Sequence, residues 1–271
     1  MDLLFNISEI AIITGDNIYK TKRDYLIDFW KKYDKNDYEK YVNLTEFIKE
    51  DDKDIVQKIS VKNNINNIDK DLLLCSKTKN IDDMNKIKKN ILDKINILPE
   101  NEKKEITKSI NNITNTNFGI KNENDITKIY EQKTGNSIIK DNKYKKIVLY
   151  ESDKFNIIIG GKIDGINLQT GSIIEIKNRV NKLFYTLREY EKVQIMCYIF
   201  LFNSNKGHLV EAFKKKDNTT INIIEVDFDQ NYMDNIICKL ILFSDYFSKF
   251  INNNDMKINL LKNSDEIIFS E

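Results

Sequence analysis

The sequence predicts an α/β domain with one mixed sheet flanked by helices. Five short β-rich runs between 145 and 227 are separated by turn signals. Amphipathic helical spacing lies on both sides of them and between the third and fourth, so the order reads α, β-meander, α, β, β, α. A chain of 271 residues, 41% hydrophobic and 31% charged, is long enough for one large domain.

Ser8–Thr14 and Lys20–Tyr33 have helical apolar spacing, with Tyr25, Leu26, Phe29 and Trp30 forming a stripe. From Asp34 to about Lys108 the chain turns to Asn, Lys and Asp punctuated by Ile and Leu. Helices are expected there near Asp51–Ile59 and Ile81–Ile97, and its firm mark is Pro99, the chain's single proline. This segment carries no recognisable chemistry and reads as a helical insertion or lid. Composition changes again at Gly119. Asn122 is placed to cap a helix that runs to Thr134, with Ile126, Ile129 and Tyr130 inward and Gly135 as its stop. Strands follow at Lys145–Tyr150, Phe155–Leu168 and Ser172–Arg179, the last two joined by a turn at Gln169-Thr170-Gly171. A helix over Leu183–Phe202 leads to strands His208–Lys214 and Ile221–Asp227 around a polar turn at Lys216–Thr219. A last amphipathic helix covers Tyr232–Ile251, which places the core of the domain at 112–252.

Charge and cysteines narrow the class. Forty-three basic against 42 acidic side chains give +1, which excludes a wholly basic surface but not a local basic groove. Cys75, Cys197 and Cys238 are too few and too scattered for a disulfide framework or a zinc ribbon, so a reduced, intracellular protein is expected. The apolar start lacks a basic segment, and the longest apolar run, Ile195–Phe202, is far below the roughly 20 residues that span a bilayer. Neither a signal peptide nor a membrane segment is expected.

The hairpin is where the sequence becomes specific. Counting outward from the turn, Asp164 falls opposite Glu175 or one register step away, so both carboxylates can share a face of the sheet. Lys177, two residues past Glu175, shares that face. Side-by-side acids between isoleucine-rich flanks repel unless a cation lies between them, and hard divalent ions such as Mg²⁺ or Mn²⁺ favour oxygen ligands. An acid and a lysine alternating on a strand are more often a solvated face, so spacing alone does not decide. Gln194 is the one strongly polar residue in the helical run VQIMCYIFLF. Leaving its amide unpartnered would cost about 1–3 kcal/mol, so it needs a partner, and Tyr198 lies one turn on. Glu123 shares a helix side with Ile126, Ile129 and Tyr130, which aims a carboxylate toward the core or simply places an acid in the first turn.

Taken in order, Gly119-x3-Glu123, Gly161-Lys162-Ile163-Asp164-Gly165, Glu175-Ile176-Lys177 and Gln194-x3-Tyr198 on α, β, β, α elements resemble the PD-(D/E)xK nuclease superfamily, whose core is restriction-endonuclease-like. More narrowly they are similar to the branch of phage lambda exonuclease and the related viral recombinase (YqaJ-like) nucleases. Ser8-Glu9-Ile10-Ala11 with Gly15 and Tyr19 resembles the Ser-and-Ala helix that precedes the nuclease core in that branch. The resemblance covers Ser8–Tyr33 and Asn112–Phe250. Met1–Ile7 lacks the arginine that exonucleases of this branch commonly carry there, and the four cysteines of the iron-sulfur members are absent.

The resemblance implies a metal-dependent deoxyribonuclease that hydrolyses phosphodiesters at double-strand DNA ends for recombination, repair or replication, from a large DNA virus or another A/T-rich genome. It implies that Asp164, Glu175 and the Ile176 carbonyl hold one Mg²⁺ or Mn²⁺, that Glu123 helps hold a second through Asp164, and that Lys177 orients or deprotonates water. Gln194 would position Lys177, with Tyr198 behind it. Ser8, Lys162, Arg179, Lys182, Arg188 and Tyr198 are the candidates for contact with DNA. Between Gly171 and Lys216, nine basic residues, Arg179, Lys192, Lys206 and Lys214 among them, face four acidic ones, a net +5 suited to phosphates. Lys162 and the cluster at Lys140–Lys146 extend it. A PD-(D/E)xK endonuclease, structure-specific or restriction-like, is the enzymatic alternative; a DNA-binding scaffold without cleavage is the alternative of another class. A single-strand annealing or replication protein is the partner implied beside DNA, and the oligomeric state stays open.

Overall fold

In the opening DLLFN, Leu3 and Phe5 alternate with more exposed neighbours and are themselves fully enclosed, the period of a strand with one buried face. This is β1 (Asp2–Asn6), which runs straight into α1 (Ile7–Thr14) without an intervening turn residue, so no punctuation in the sequence marks it. The computed structural model describes residues 1–271 except 79–80, 120–122, 141–142, 216–217, 264–266, 268 and 270–271. Gly15, at φ 85°, closes α1 with backbone bonds to Ala11 and Ile12. In α2 (Lys22–Tyr33), capped by the Thr21 side chain on Asp24 N, the expected stripe Tyr25, Leu26, Phe29 and Trp30 is buried.

The segment read as one insertion divides in two. In α3 (Lys35–Thr45), Tyr38 and Tyr41 lean on Trp30 and belong to the main core. By contrast, α4 (Asp52–Lys62), α5 (Ile68–Lys77), α6 (Ile81–Lys94) and α7 (Glu100–Gly119) enclose a core of their own around Val56, Ile59, Met84, Ile91, Ile106 and Ile110. Pro99 stands at the head of α7, where its carbonyl accepts from Lys103 N and its missing N–H costs nothing. Outside these helices, Val180 touches the small core.

Next come α8 (Glu123–Thr134), stopped by Gly135 at φ 72°, and then β2 (Ile138–Ile139), β3 (Lys145–Glu151), β4 (Asn156–Gly161), β5 (Gly165–Asn167) and β6 (Ile173–Arg179). The crossover helix α9 (Glu189–Phe202) brings β7 (Lys206–Lys215) parallel to β6, and β8 (Asn218–Asp227) returns antiparallel. Two helices, α10 (Gln230–Phe250) and α11 (Asn254–Lys262), finish the chain. The expected cap Asn122 and the turn residues 216–217 lie outside the described residues. Among the described residues no helix is long and apolar enough to cross a membrane.

The fold is mixed α/β with flanking helices, as expected, but its strands form two sheets, β1-β4-β3 and β2-β5-β6-β7-β8. The expected long strand over 155–168 breaks after Gly161. At the break the Asp164 carboxylate accepts from Ile176 N at 2.7 Å, so a side chain takes the donor that a continuing ladder would have used. On the apolar side, α1 leans on α9 and α10, and Phe5, Phe29, Phe243 and Phe247 pack ring against ring, mostly edge to face.

Candidate active site

The register Gly165↔Ile174 and Ile166↔Ile173 continues by one step to set Asp164 beside Glu175, the separation that the hairpin count anticipates. Burial pushes the Asp164 carboxyl above its ordinary value, against the Ile176 N–H bond, and the Glu123 charge adds to the rise. Glu175 is 6% exposed, and burial with help from Asp164 pushes it up to about 7 despite the nearby Lys177.

Three side chains then close a triangle. Lys177 Nζ donates to Glu175 Oε1 at 2.8 Å and to Gln194 Oε1 at 2.9 Å, while Gln194 Nε2 donates to Glu175 Oε1 at 2.9 Å. The polar residue in the apolar face of α9 therefore finds both of its partners on β6. Burial disfavours the Lys177 ammonium, but Glu175 outweighs it and holds the group above its ordinary value. Tyr198, one turn along α9, is buried, so it does not offer the DNA contact expected of it.

Gly161 is what lets Tyr198 in. A Cβ on Gly161 would stand 2.7 Å from the tyrosine ring and 3.3 Å from Ile7 Cβ. Gly161→Ala should therefore displace the ring and cost about 1–3 kcal/mol, read as a lower urea midpoint, with a drop in activity that Tyr198→Phe does not share. An unchanged midpoint would mean the ring moves freely and holds nothing.

The other expected site residues scatter around this centre. Glu123 opens α8, half-buried, near enough for its charge to bear on Asp164. Ile176 is buried on the far face of β6, with its N–H on Asp164. Ser8 is exposed in the first turn of α1, next to Ile7, and Lys162 is exposed between Gly161 and Asp164. Lys182 and Arg188 are exposed in the loop between β6 and α9.

Arg179 needs correction as a DNA contact. It is buried, with its two terminal nitrogens on Glu191 at 2.7 and 3.0 Å and its Nε on Glu211 at 2.9 Å. Glu191 and Glu211 themselves were not anticipated, although an acid in the apolar run HLVEAF, and another three residues before Gln194 on one helix face, is the kind of signal that marks a buried charge. The +5 tally does not form one patch. Arg179 and Lys177 are matched by carboxylates, and Lys206 pairs with Asp227 at 3.2 Å. Lys206 also opens β7 while Lys214 lies near its end, about 26 Å away at about 3.3 Å per residue. Lys216 lies outside the described residues, as do 141–142 in the Lys140–Lys146 cluster.

A divalent cation fits the donor set at one point. Among the described residues no bond reaches Asp164 Oδ1 or Glu175 Oε2, so two neighbouring acids, both raised by burial, each keep an oxygen for a hard ion, with the Ile176 carbonyl on the same strand. The expected pair of ions is not supported in the same way. Among the described residues no three Asp, Glu, His or Cys side chains stand together as a metal site, so Glu123 is not drawn into the cluster.

No family model matches the chain, and no curated protein matches it. Solved structures of similar shape include a phage-related exonuclease from Haemophilus somnus 129PT, with TM-score 0.40 and 14% identity over 51% of this chain and 72% of that one. An alkaline exonuclease from Laribacter hongkongensis, LHK-Exo, gives TM-score 0.40 and 13% identity over 52% and 73%. The same exonuclease in complex with dAMP gives 0.39 and 11% over 65% and 86%. At this degree of likeness the functional reading rests on the geometry of the site itself.

Proposed function

We propose that the protein is a metal-dependent deoxyribonuclease, an exonuclease acting on double-strand DNA ends in recombination, repair or replication. The observation that carries this reading is the closed set Asp164, Glu175, Lys177 and Gln194, in which a buried and a half-buried acid stand beside a lysine that a glutamine holds in place. Bound at the acids, Mg²⁺ or Mn²⁺ would stabilise the charge that develops on phosphate oxygens. Lys177 Nζ, fixed by Gln194 and Glu175, orients water or a phosphate oxygen by donating a hydrogen bond, and the Tyr198 ring packs behind Gln194. Lys162, Lys182, Arg188 and Ser8 are the candidates for DNA contact. Incubation with Mg²⁺ or Mn²⁺ and two substrates, covalently closed circles and linear DNA labelled at either end, is the test. Loss of linear DNA alone supports the exonuclease; nicked circles make the enzyme an endonuclease; intact DNA of both kinds contradicts a nuclease.

Lys177→Ala should lower the cleavage rate under saturating DNA while affinity changes within a few fold, since one cation is a small share of the phosphate contacts. Equal losses in rate and affinity, read by single-turnover kinetics and anisotropy, would make Lys177 an anchor only.

The unit α4–α7 is read as a cover over the substrate channel. Because Ile106 and Ile110 of α7 share its core, replacement by a Gly/Ser bridge has to span 51–117. Cleavage should persist and become more distributive. A stable trimer in light scattering that dissolves on this deletion would make the unit a subunit contact instead.

A further inference from the structure

Between β6 and α9 the chain crosses the face of the sheet that carries Glu175 and Lys177, and it does so in an unusual way. Tyr185 has a left-handed backbone, φ 59°, a conformation that bulky side chains rarely adopt, yet the residue is 66% exposed. Strain of this kind persists only where the surroundings over-determine it. Here they do. Glu211, fully buried, accepts from Tyr185 N at 2.9 Å and from Phe184 N at 3.2 Å, as well as from Arg179 and Asn222. Phe184 is clasped between two guanidinium groups, 4.4 Å from Arg179 and 4.3 Å from Arg188.

Burial of the Tyr185 ring does not explain this bracing, because the ring stays in solvent. Its location does suggest a use. In the β6–β7 register Glu211 is the direct partner of Lys177, so the carboxylate that ties down the Tyr185 main chain sits one strand away from the site lysine and on the same face. On either side of the ring the loop presents Lys182 and Arg188, both exposed.

We propose that Tyr185 is a stacking residue, which receives the nucleobase of an unpaired nucleotide beside the scissile phosphate, and that Glu211 is the positioning residue that holds it there. The inference rests on the nuclease reading above and adds the feature of the substrate that it recognises, an unstacked terminal base. Aromatic rings bind bases through their faces irrespective of sequence, which suits an enzyme that meets every base in turn. Lys182 and Arg188 would lie along the phosphates on either side.

The test uses the full-length protein and a duplex that carries 2-aminopurine as a one-nucleotide overhang, with binding read without divalent ions and cleavage read with Mg²⁺. Stacking on Tyr185 should quench the fluorescence with wild type and Tyr185→Phe but not with Tyr185→Ala. The alanine variant should raise KM about 5- to 150-fold, the range for loss of one stacked base, with kcat reduced less. Tyr185→Gly, which removes both ring and strain, should raise the Tm while weakening binding as much as alanine does. A Tyr185→Ala protein that quenches and cleaves like wild type overturns the inference and leaves the nuclease reading standing. Equal losses in Tyr185→Phe and Tyr185→Ala would assign the effect to the hydroxyl and overturn stacking. A wild type that cleaves no DNA overturns both.

Discussion

Asp164→Asn and Glu175→Gln are each expected to abolish metal-dependent DNA cleavage, and the two should differ in what they do to the fold. An amide at either position is a poorer ligand for a hard cation than a carboxylate, so loss of one leaves too few charged oxygens. At Asp164 the amide oxygen can still accept from Ile176 N, and the charge that adds to the rise of Glu175 is gone. The metal-free midpoint in urea should therefore hold or rise. At Glu175 the carboxylate also neutralises Lys177, whose half-buried ammonium would be left with only an amide beside it. Glu175→Gln should lower the midpoint, and Glu175→Ala should lower it further. Thermal melts with and without Mn²⁺ give a second reading, because only the wild type should gain stability from the ion. Equal stabilisation of wild type and Asp164→Asn would remove Asp164 from the ligand set.

Arg179→Met is expected to have the largest effect on stability. Its side chain has bonds to Glu191 and Glu211, and both acids are buried. Removing the cation bonded to both leaves carboxylates in a medium that does not solvate them, at a cost of about 3–5 kcal/mol. At roughly 2–4 °C per kcal/mol for a chain of this size, the melting point should fall by about 6–20 °C. The pH dependence follows from Glu211. Burial pushes its carboxyl up, but hydrogen bonds from Asn222, Tyr185 N and Arg179 outweigh burial and hold it below its ordinary value. The unfolded chain then takes up the proton more readily than the folded one. The contribution is full above the ordinary carboxylate value of about 4.3 and is lost as pH falls below that toward the folded value. Wild type and Arg179→Met should thus differ most near neutral pH and converge in acid. A difference that stays constant from pH 7 to pH 3 would show that packing, not charge, dominates at Arg179.

The parts of the site that were legible in the sequence are those that local periodicity dictates. Period-2 alternation and a tight turn suffice to set Asp164 beside Glu175 and Lys177 on their face, and a polar side chain in an apolar helix face, Gln194, has to find partners. Depth was not legible. A tally of charges from 171 to 216 cannot distinguish an exposed Arg188 from Arg179 between two buried acids. The start of α9 was placed six residues early for a related reason: Leu183–Leu187 continues the apolar spacing, but Glu211, distant in sequence, ties the Phe184 and Tyr185 backbone out of the helix. In α7 the buried positions are diluted by Asn and Lys, and in α5 by Asp and Lys, which weakens the helical period, and β1 is hidden because a strand turns into a helix with no break between them.

One measurement bears most directly on the role given to Asp164 and Glu175: single-turnover degradation of end-labelled linear duplex by wild type and Asp164→Asn, in Mg²⁺, in Mn²⁺ and in EDTA. Wild type should release labelled product in either metal and none in EDTA, and Asp164→Asn should release none in any condition while it binds the same DNA with near wild-type affinity. Cleavage by wild type in EDTA, or by Asp164→Asn at the wild-type rate, would contradict a metal-dependent nuclease built on these two acids.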